Sequence, residues 1–131
     1  MIKNAFRYVK TEVLGEKFVA DTENKYLLIG QAPFRGKVDE SGETILPEGV
    51  KVRLQIMQDN SEPVFDKQTG EEKENNSLEV FEATIVGATY PLSIRKGTMV
   101  ALGKFLSDSS YYIDYNFILR FDGIYEIKKE K

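Results

Sequence analysis

Val50-Lys51-Val52-Arg53-Leu54-Gln55-Ile56-Met57 alternates without a break: Val50, Val52, Leu54 and Ile56 fall on one side, Lys51, Arg53 and Gln55 on the other. Successive side chains of a β-strand point to opposite faces, so this stretch reads as a strand with one face in a core and one in water. The same period returns at 111–121, where Tyr111, Ile113, Tyr115, Phe117, Leu119 and Phe121 share one side and Tyr112, Asp114, Asn116, Ile118 and Arg120 the other. Asp122-Gly123 supplies a turn or bulge before 124–127. Residues 78–86 are rich in β-branched and aromatic types, and 98–106 are nearly all apolar, as in a strand covered on both faces. A further strand or bent pair is expected within 17–34, broken near 22–24. Eleven-residue windows lack the three-and-four apolar spacing of an amphipathic helix. The only helical turn expected begins at Pro91 and ends at Ile94.

The connections are then 36–49, 58–77, 87–97 and 107–110. A chain of 131 residues with 41% apolar residues and 15 Phe and Tyr has the length of one domain and enough apolar material for a core. About five strands with little helix in that length favour a small closed barrel, because closure removes sticky edges. The longest connection carries Asp66-Lys67-Gln68-Thr69-Gly70, a turn-forming cluster suited to a protruding hairpin tip. Residues 59–82 hold eight acids (Asp59, Glu62, Asp66, Glu71, Glu72, Glu74, Glu79, Glu82) against Lys67 and Lys73. With a formal net charge of −3 for the whole chain, the remainder is net basic. An acidic protein can in this way carry a basic face, although an acidic solvated loop explains the same asymmetry.

The inventory excludes much chemistry. No Cys is present for disulfides, thiolate metal sites or cysteine nucleophiles, and no His for the usual general base. The segment 97–104, GTMVALGK, resembles a phosphate-binding loop only superficially: that motif spaces its glycines one residue closer and follows its lysine with a hydroxyl, where Phe105 stands here. Carboxylate pairs such as Asp59 with Glu62 sit in a charged loop and read as solvated surface. No catalysis and no cofactor are expected. The opening MIKNAFRYVK lacks the apolar stretch of a leader, and no apolar run approaches the roughly 18 residues of a membrane span. A cytoplasmic protein with no membrane partner is expected.

What remains is a binding constellation in which rings and bases alternate: Phe6-Arg7-Tyr8 with Lys10, Phe34-Arg35 with Lys37, Tyr90 near Arg95-Lys96, and Lys104-Phe105 ahead of Tyr111-Tyr112. Single-stranded nucleic acid calls for this pairing, because cations track phosphates while flat rings stack on bases. Many of these rings also suit a core, and Phe105, Tyr115, Phe117 and Phe121 are expected there. Tyr90, before a proline in a loop, and Tyr112, on the outward side of its strand, suit either role. Outward bases such as Lys51 and Arg53 serve as readily for solvation as for binding.

Residues 91–106, Pro-Leu-Ser-Ile-Arg-Lys-Gly-Thr-Met-Val-Ala-Leu-Gly-Lys-Phe-Leu, resemble the passage of single-stranded DNA-binding proteins where a short connection ends in Lys-Gly and leads into a Val-x-Val-x-Gly-x-Leu strand. The corresponding residues are Leu92, Lys96, Gly97, Val100, Leu102, Gly103 and Phe105 or Leu106. Size and general look resemble the replication-associated members of phages that infect Gram-positive bacteria, which would place the protein in the host cytoplasm. The resemblance implies an all-β fold, a five-stranded oligonucleotide-binding (OB-fold) Greek-key barrel, here a single domain over 1–131. Its strands map to the region within 17–34, then 50–57, 78–86, 98–106 and 111–127, with the long acidic segment as the loop between the second and third. Lys51, Arg53 and Gln55 then occupy the DNA-binding face, with the loop 87–97 and the short turn 107–110 at its rims, and Phe34, Arg35, Tyr90, Arg95, Lys96, Lys104 and Tyr112 are the further DNA-binding residues expected. The implied partner is single-stranded DNA, bound without sequence preference during replication or recombination, whose proteins are further candidate partners.

The chain departs from the bacterial family. It has no Trp, and it ends Lys128-Lys129-Glu130-Lys131 instead of in an acidic tail, so recruitment of replication enzymes through such a tail is not expected. The rival reading is a β-rich protein-interaction module, such as a phage structural or adaptor subunit, which meets its partner through exposed Tyr and Ile118. A carbohydrate-binding barrel stands third. The sequence leaves a homo-oligomer open.

Overall fold

The computed structural model describes Met1, Lys3, Asn4, residues 13–113 and residues 116–127, the side chains of Tyr112, Ile113 and Asn116 excepted. Its elements are α1 (Gly15–Asp21), β1 (Tyr26–Phe34), β2 (Lys37–Val38), β3 (Thr44–Leu46), β4 (Gly49–Ile56), β5 (Val80–Val86), β6 (Met99–Leu102), β7 (Tyr111–Ile113), β8 (Asn116–Phe121) and β9 (Ile124–Glu126), with a 3-10 turn at Ser107–Ser109. The molecule is mostly β, with one short helix among the described residues.

Seven strands form one sheet in the order β7-β8-β5-β4-β1-β6-β9, and β2 and β3 pair as a separate hairpin. All neighbours are antiparallel except β5 and β8, whose register sets Ala83 against Leu119 and Ile85 against Phe121. The sheet curls into a half-barrel. Residues following β6 reach the end of β8 through the Phe105–Phe121 bridge, and Leu106 N donates to Arg120 O (2.8 Å) and Asp122 N to Lys104 O (3.0 Å).

The inner surface follows from the alternation. Val50, Val52, Leu54 and Ile56 of β4 are buried while Lys51 and Arg53 are exposed, as the period-two pattern requires. Tyr26, Leu28, Ala83, Ile85, Val100, Leu102, Phe105, Leu119 and Phe121 complete the core. Gly97 turns the chain into β6 at φ +91°, and a side chain on Gly103 would collide with Asp122 Oδ1, so both glycines of the resemblance segment have a steric reason. Segment 87–97 also supplies Ala88, Leu92 and Ile94, which pack on the core.

Three expectations need correction. Residues 15–21 are helical, not the start of a strand. Gly15 lies on the Phe105 ring, Phe18 and Val19 pack on the core, and Thr22 is buried. The spacing 15, 18, 19, 22 is one helical face, but a glycine and a threonine hold half of it, so apolar periodicity misses it. Phe18 meets Phe81 edge-on at 5.1 Å, and Phe81 meets Tyr26 likewise at 5.1 Å, which seats the helix over an end of the curled sheet. The single turn proposed for 91–94 does not form; Leu92 N is instead held by Gln31 Oε1 at 2.7 Å. Phe117 is 61% exposed and not part of the core. β8 joins β5 only from Leu119 onward, and its earlier residues pair with β7, so the alternation continues past the core into a two-stranded ribbon. Tyr115 lies outside the described residues.

The connection 36–49 carries the β2–β3 hairpin; the break at Asp122-Gly123 before β9 is as expected, but 111–121, expected as one strand, is the antiparallel pair β7 and β8. Residues 58–77 are a long loop with a hairpin tip, Phe65 bridging Glu72, as expected from the Asp66–Gly70 cluster. No described helix is long and apolar enough to cross a membrane.

Candidate functional site

Residues opposed across a ladder share a face, and the registers here assemble a band on the outside of the sheet. Lys51 lies between Ala32 of β1 and Thr84 of β5, and Arg53 between Gly30 and Glu82. Phe34 stands opposite Gly49 at one end of the band, and Thr84 opposite Arg120 of β8 at its side. Among the described residues the one salt bridge is Lys17–Asp21, on α1, so Lys51, Arg53, Arg35, Lys37, Lys104 and Arg120 face no carboxylate at ion-pair distance. Even Glu82, directly across from Arg53, does not close on it.

Two clefts flank the band. One, of about 580 Å³, is walled by Phe34, Arg35, Pro47, Glu48 and Tyr90. The other, of about 730 Å³, lies between the β2–β3 hairpin and residues 104–111, with Lys37, Leu46, Lys104, Tyr111 and Arg120 in its wall. They adjoin at a ring contact, since the Arg120 guanidinium lies 5.8 Å from the Phe34 ring centre and 5.4 Å from that of Tyr111. Arg120 is only 4% exposed, donates from Nη1 to the Ser109 carbonyl and leaves Nε without a partner. Lys37 Nζ donates to Tyr111 Oη at 3.3 Å and lies 5.3 Å from the centre of its ring. That ammonium holds the Tyr111 phenol below its ordinary pKa.

The residues expected at the site are thus partly brought together. Phe34, Arg35 and Tyr90 share the first cleft, with Tyr90 46% exposed. Lys51 and Arg53 stand on the band beside it, and Lys104 lines the second cleft. Gln55 is committed elsewhere: its amide donates to Leu78 O at 3.0 Å and fastens the approach to β5. Arg95 and Lys96 are exposed but border the edge of β1 away from β4, where Gly97 N donates to Leu28 O and Leu28 N to Thr98 O. The side chain of Tyr112, together with Phe6, Arg7, Tyr8, Lys10 and 128–131, lies outside the described residues. No family model, curated protein or solved structure matches the chain.

Sequence reasoning missed Lys37, Tyr111 and Arg120 as members of one site. Arg120 has the parity of the outer face but sits between two core residues, Leu119 and Phe121. Its burial comes with Phe34, Tyr111, the Ser109 carbonyl and the Ser110 hydroxyl, 86 to 9 residues away in the chain. Nothing in a period-two pattern reports what later covers a strand's outer face. The available signal was an Arg in an apolar run with no acid at either neighbouring position.

Proposed function

We propose that the chain binds single-stranded DNA, without sequence preference, along the outer band of β1, β4 and β5 and its flanking clefts. The observation that carries this is the set of cations free of carboxylate partners, Arg35, Lys51, Arg53 and Lys104, interleaved with the rings of Phe34 and Tyr90. Cations without internal counter-ions neutralise phosphates at little cost, and rings at the rim of a cleft offer stacking platforms. The strand pairing supports reading the curled sheet as an OB-fold barrel with β1, β4, β5, β6 and β8 as its five strands. In its favour are the antiparallel β1–β4–β5 run, the parallel β5–β8 pair and the return from β6 to β8 at Phe105–Phe121. In that reading β4 and β5 form the ligand face, the hairpin β2–β3 borders it, and the protein protects strands during replication or recombination. No cofactor is needed for this chemistry.

The test is titration of fluorescent oligo-dT with the protein while salt is varied. Affinity should fall with a log–log slope of about −0.7 per phosphate neutralised, and the double substitution Lys51→Glu/Arg53→Glu should flatten that slope. Absent or salt-insensitive binding at micromolar protein rejects the reading.

A second reading, a protein-interaction module, draws on the apolar side chains of the β2–β3 hairpin, Val38 at 65% and Ile45 at 61% exposure. Size-exclusion chromatography that finds a stable oligomer indifferent to oligonucleotides favours it.

A further inference from the structure

Arginine does not give up its proton in proteins, so a guanidinium 4% exposed is a buried charge and calls for a counter-ion. Arg120 has none among the described residues. Two rings and one carbonyl cover part of it, and Nε is left without a partner. The side chain lines the 730 Å³ cleft, and so do Lys37 and Lys104, both exposed. The acid in that wall is Asp108, on the 3-10 turn. Three positive charges against one negative leave two to neutralise, the charge of a phosphate monoester near neutral pH and about twice that of an internal phosphodiester. Burial adds a steric argument: a group on the floor of a cleft is reached by something that enters end-on, whereas an internal phosphate must carry strand away on both sides. We infer that this cleft is a receptor for a terminal phosphomonoester, with Arg120 as the buried anchor and Lys37 and Lys104 closing from the rim. The nucleotide identity of the ligand rests on the single-stranded DNA reading; the anion site does not.

Paired titrations test this, with oligo-dT carrying a phosphate at its 5′ end, one carrying it at its 3′ end, one with hydroxyls at both ends, and thymidine 5′-monophosphate. The side-chain Nε–H resonance of Arg120 is followed by NMR alongside affinity. The inference expects a phosphorylated end to bind about tenfold more tightly than the hydroxyl form, with a shift of the Arg120 resonance. Lys37→Ala/Lys104→Ala, both at exposed positions, should erase that preference, and Arg120→Gln should do the same if it folds. Lys51→Ala/Arg53→Ala should weaken all the oligonucleotides alike and keep the preference for a phosphorylated end. If the monophosphate moves the Arg120 resonance while no oligonucleotide binds, the cleft stands as a mononucleotide site and the strand reading falls. If salt-dependent oligo-dT binding is present but end phosphates change neither affinity nor the Arg120 resonance, the strand reading stands and this inference is overturned. If no probe moves the resonance, it is overturned as well.

Discussion

Replacing Arg120 by Met separates a structural strut from a cation poised for a ligand. Met keeps the length and most of the apolar volume of the side chain and removes its charge. The losses are one charge-assisted hydrogen bond to the Ser109 carbonyl, about 1.5–3 kcal/mol, and two desolvated cation–ring contacts, about 2 kcal/mol each. Against these stand relief of the unpartnered Nε–H, about 1–3 kcal/mol, and of a desolvated charge that costs several kcal/mol in the absence of a counter-ion. The two sides nearly cancel, so Arg120→Met should lie within about 1 kcal/mol of the wild type or be slightly more stable. Breaking a true buried ion pair would cost about 3–5 kcal/mol instead. Urea unfolding followed by circular dichroism gives the difference, with unchanged m-values as the check that the same transition is compared. Adding an oligonucleotide with a phosphorylated end at a hundred times its Kd should then raise the wild type by about 2.7 kcal/mol and the variant by clearly less. A loss above 3 kcal/mol without ligand would refute the reasoning, because it would make Arg120 a satisfied structural residue.

Other perturbations have equally definite outcomes. The Thr22 and Tyr26 hydroxyls, 2% and 0% exposed, share a 2.6 Å hydrogen bond. Thr22→Val strands a buried phenol and should cost about 1–3 kcal/mol, more than the roughly 1 kcal/mol of Tyr26→Phe, and the double variant should recover part of the difference in thermal unfolding. Ser61 and the Asn76 N–H hold the Asp59 carboxyl below its ordinary pKa. This stabilisation is complete above about pH 4 and is lost as the pH falls through the depressed folded value, so Asp59→Asn should make stability less sensitive to acid between pH 5 and about 2 in urea titrations. Tyr90→Ala should weaken oligo-dT binding by about 1–3 kcal/mol by fluorescence anisotropy while unfolding stays unchanged.

The sheet was legible where one face of a strand is buried and the other solvated, as in β4, since period two then translates directly into inside and outside. Legibility failed wherever a side chain's environment comes from a distant segment. α1 hides because Gly15 and Thr22 complete its buried face without being apolar, and Phe105, the ring that Gly15 meets, is far along the chain. Phe117 keeps the parity of Leu119 and Phe121 but lies beyond the point where β8 leaves β5, and parity alone does not report where a neighbour ends. For the site, Lys51 and Arg53 could be read because exposure follows from alternation. The joining of Phe34, Arg120, Tyr111 and Lys37 could not, since it depends on a hairpin and a turn folding over β8.

The acidic segment gains a meaning from its anchorage. It leaves β4 after Ile56, and its base is fixed beside α1: Asn60 N donates to Asp21 O at 2.7 Å, Asn60 Nδ2 reaches Glu23 at 3.0 Å, and the Asp59 and Glu62 charges act on Lys17. The cleft with Phe34 and Tyr90 lies at the other end of β4, beside Gly49. Seven steps of strand separate Gly49 from Ile56, about 23 Å at roughly 3.3 Å per residue, nearly three Debye lengths at physiological salt. The fixed base of the loop is therefore screened from that cleft under cellular conditions and acts on it only in dilute buffer. On the proposed strand-binding reading, an anionic strand at low salt would be repelled from the loop end and drawn to the band, an effect that fades at physiological salt. Removing charge at that base, for instance with Asp59→Asn/Glu62→Gln, should accordingly tighten oligo-dT binding at low ionic strength and leave it unchanged at physiological salt.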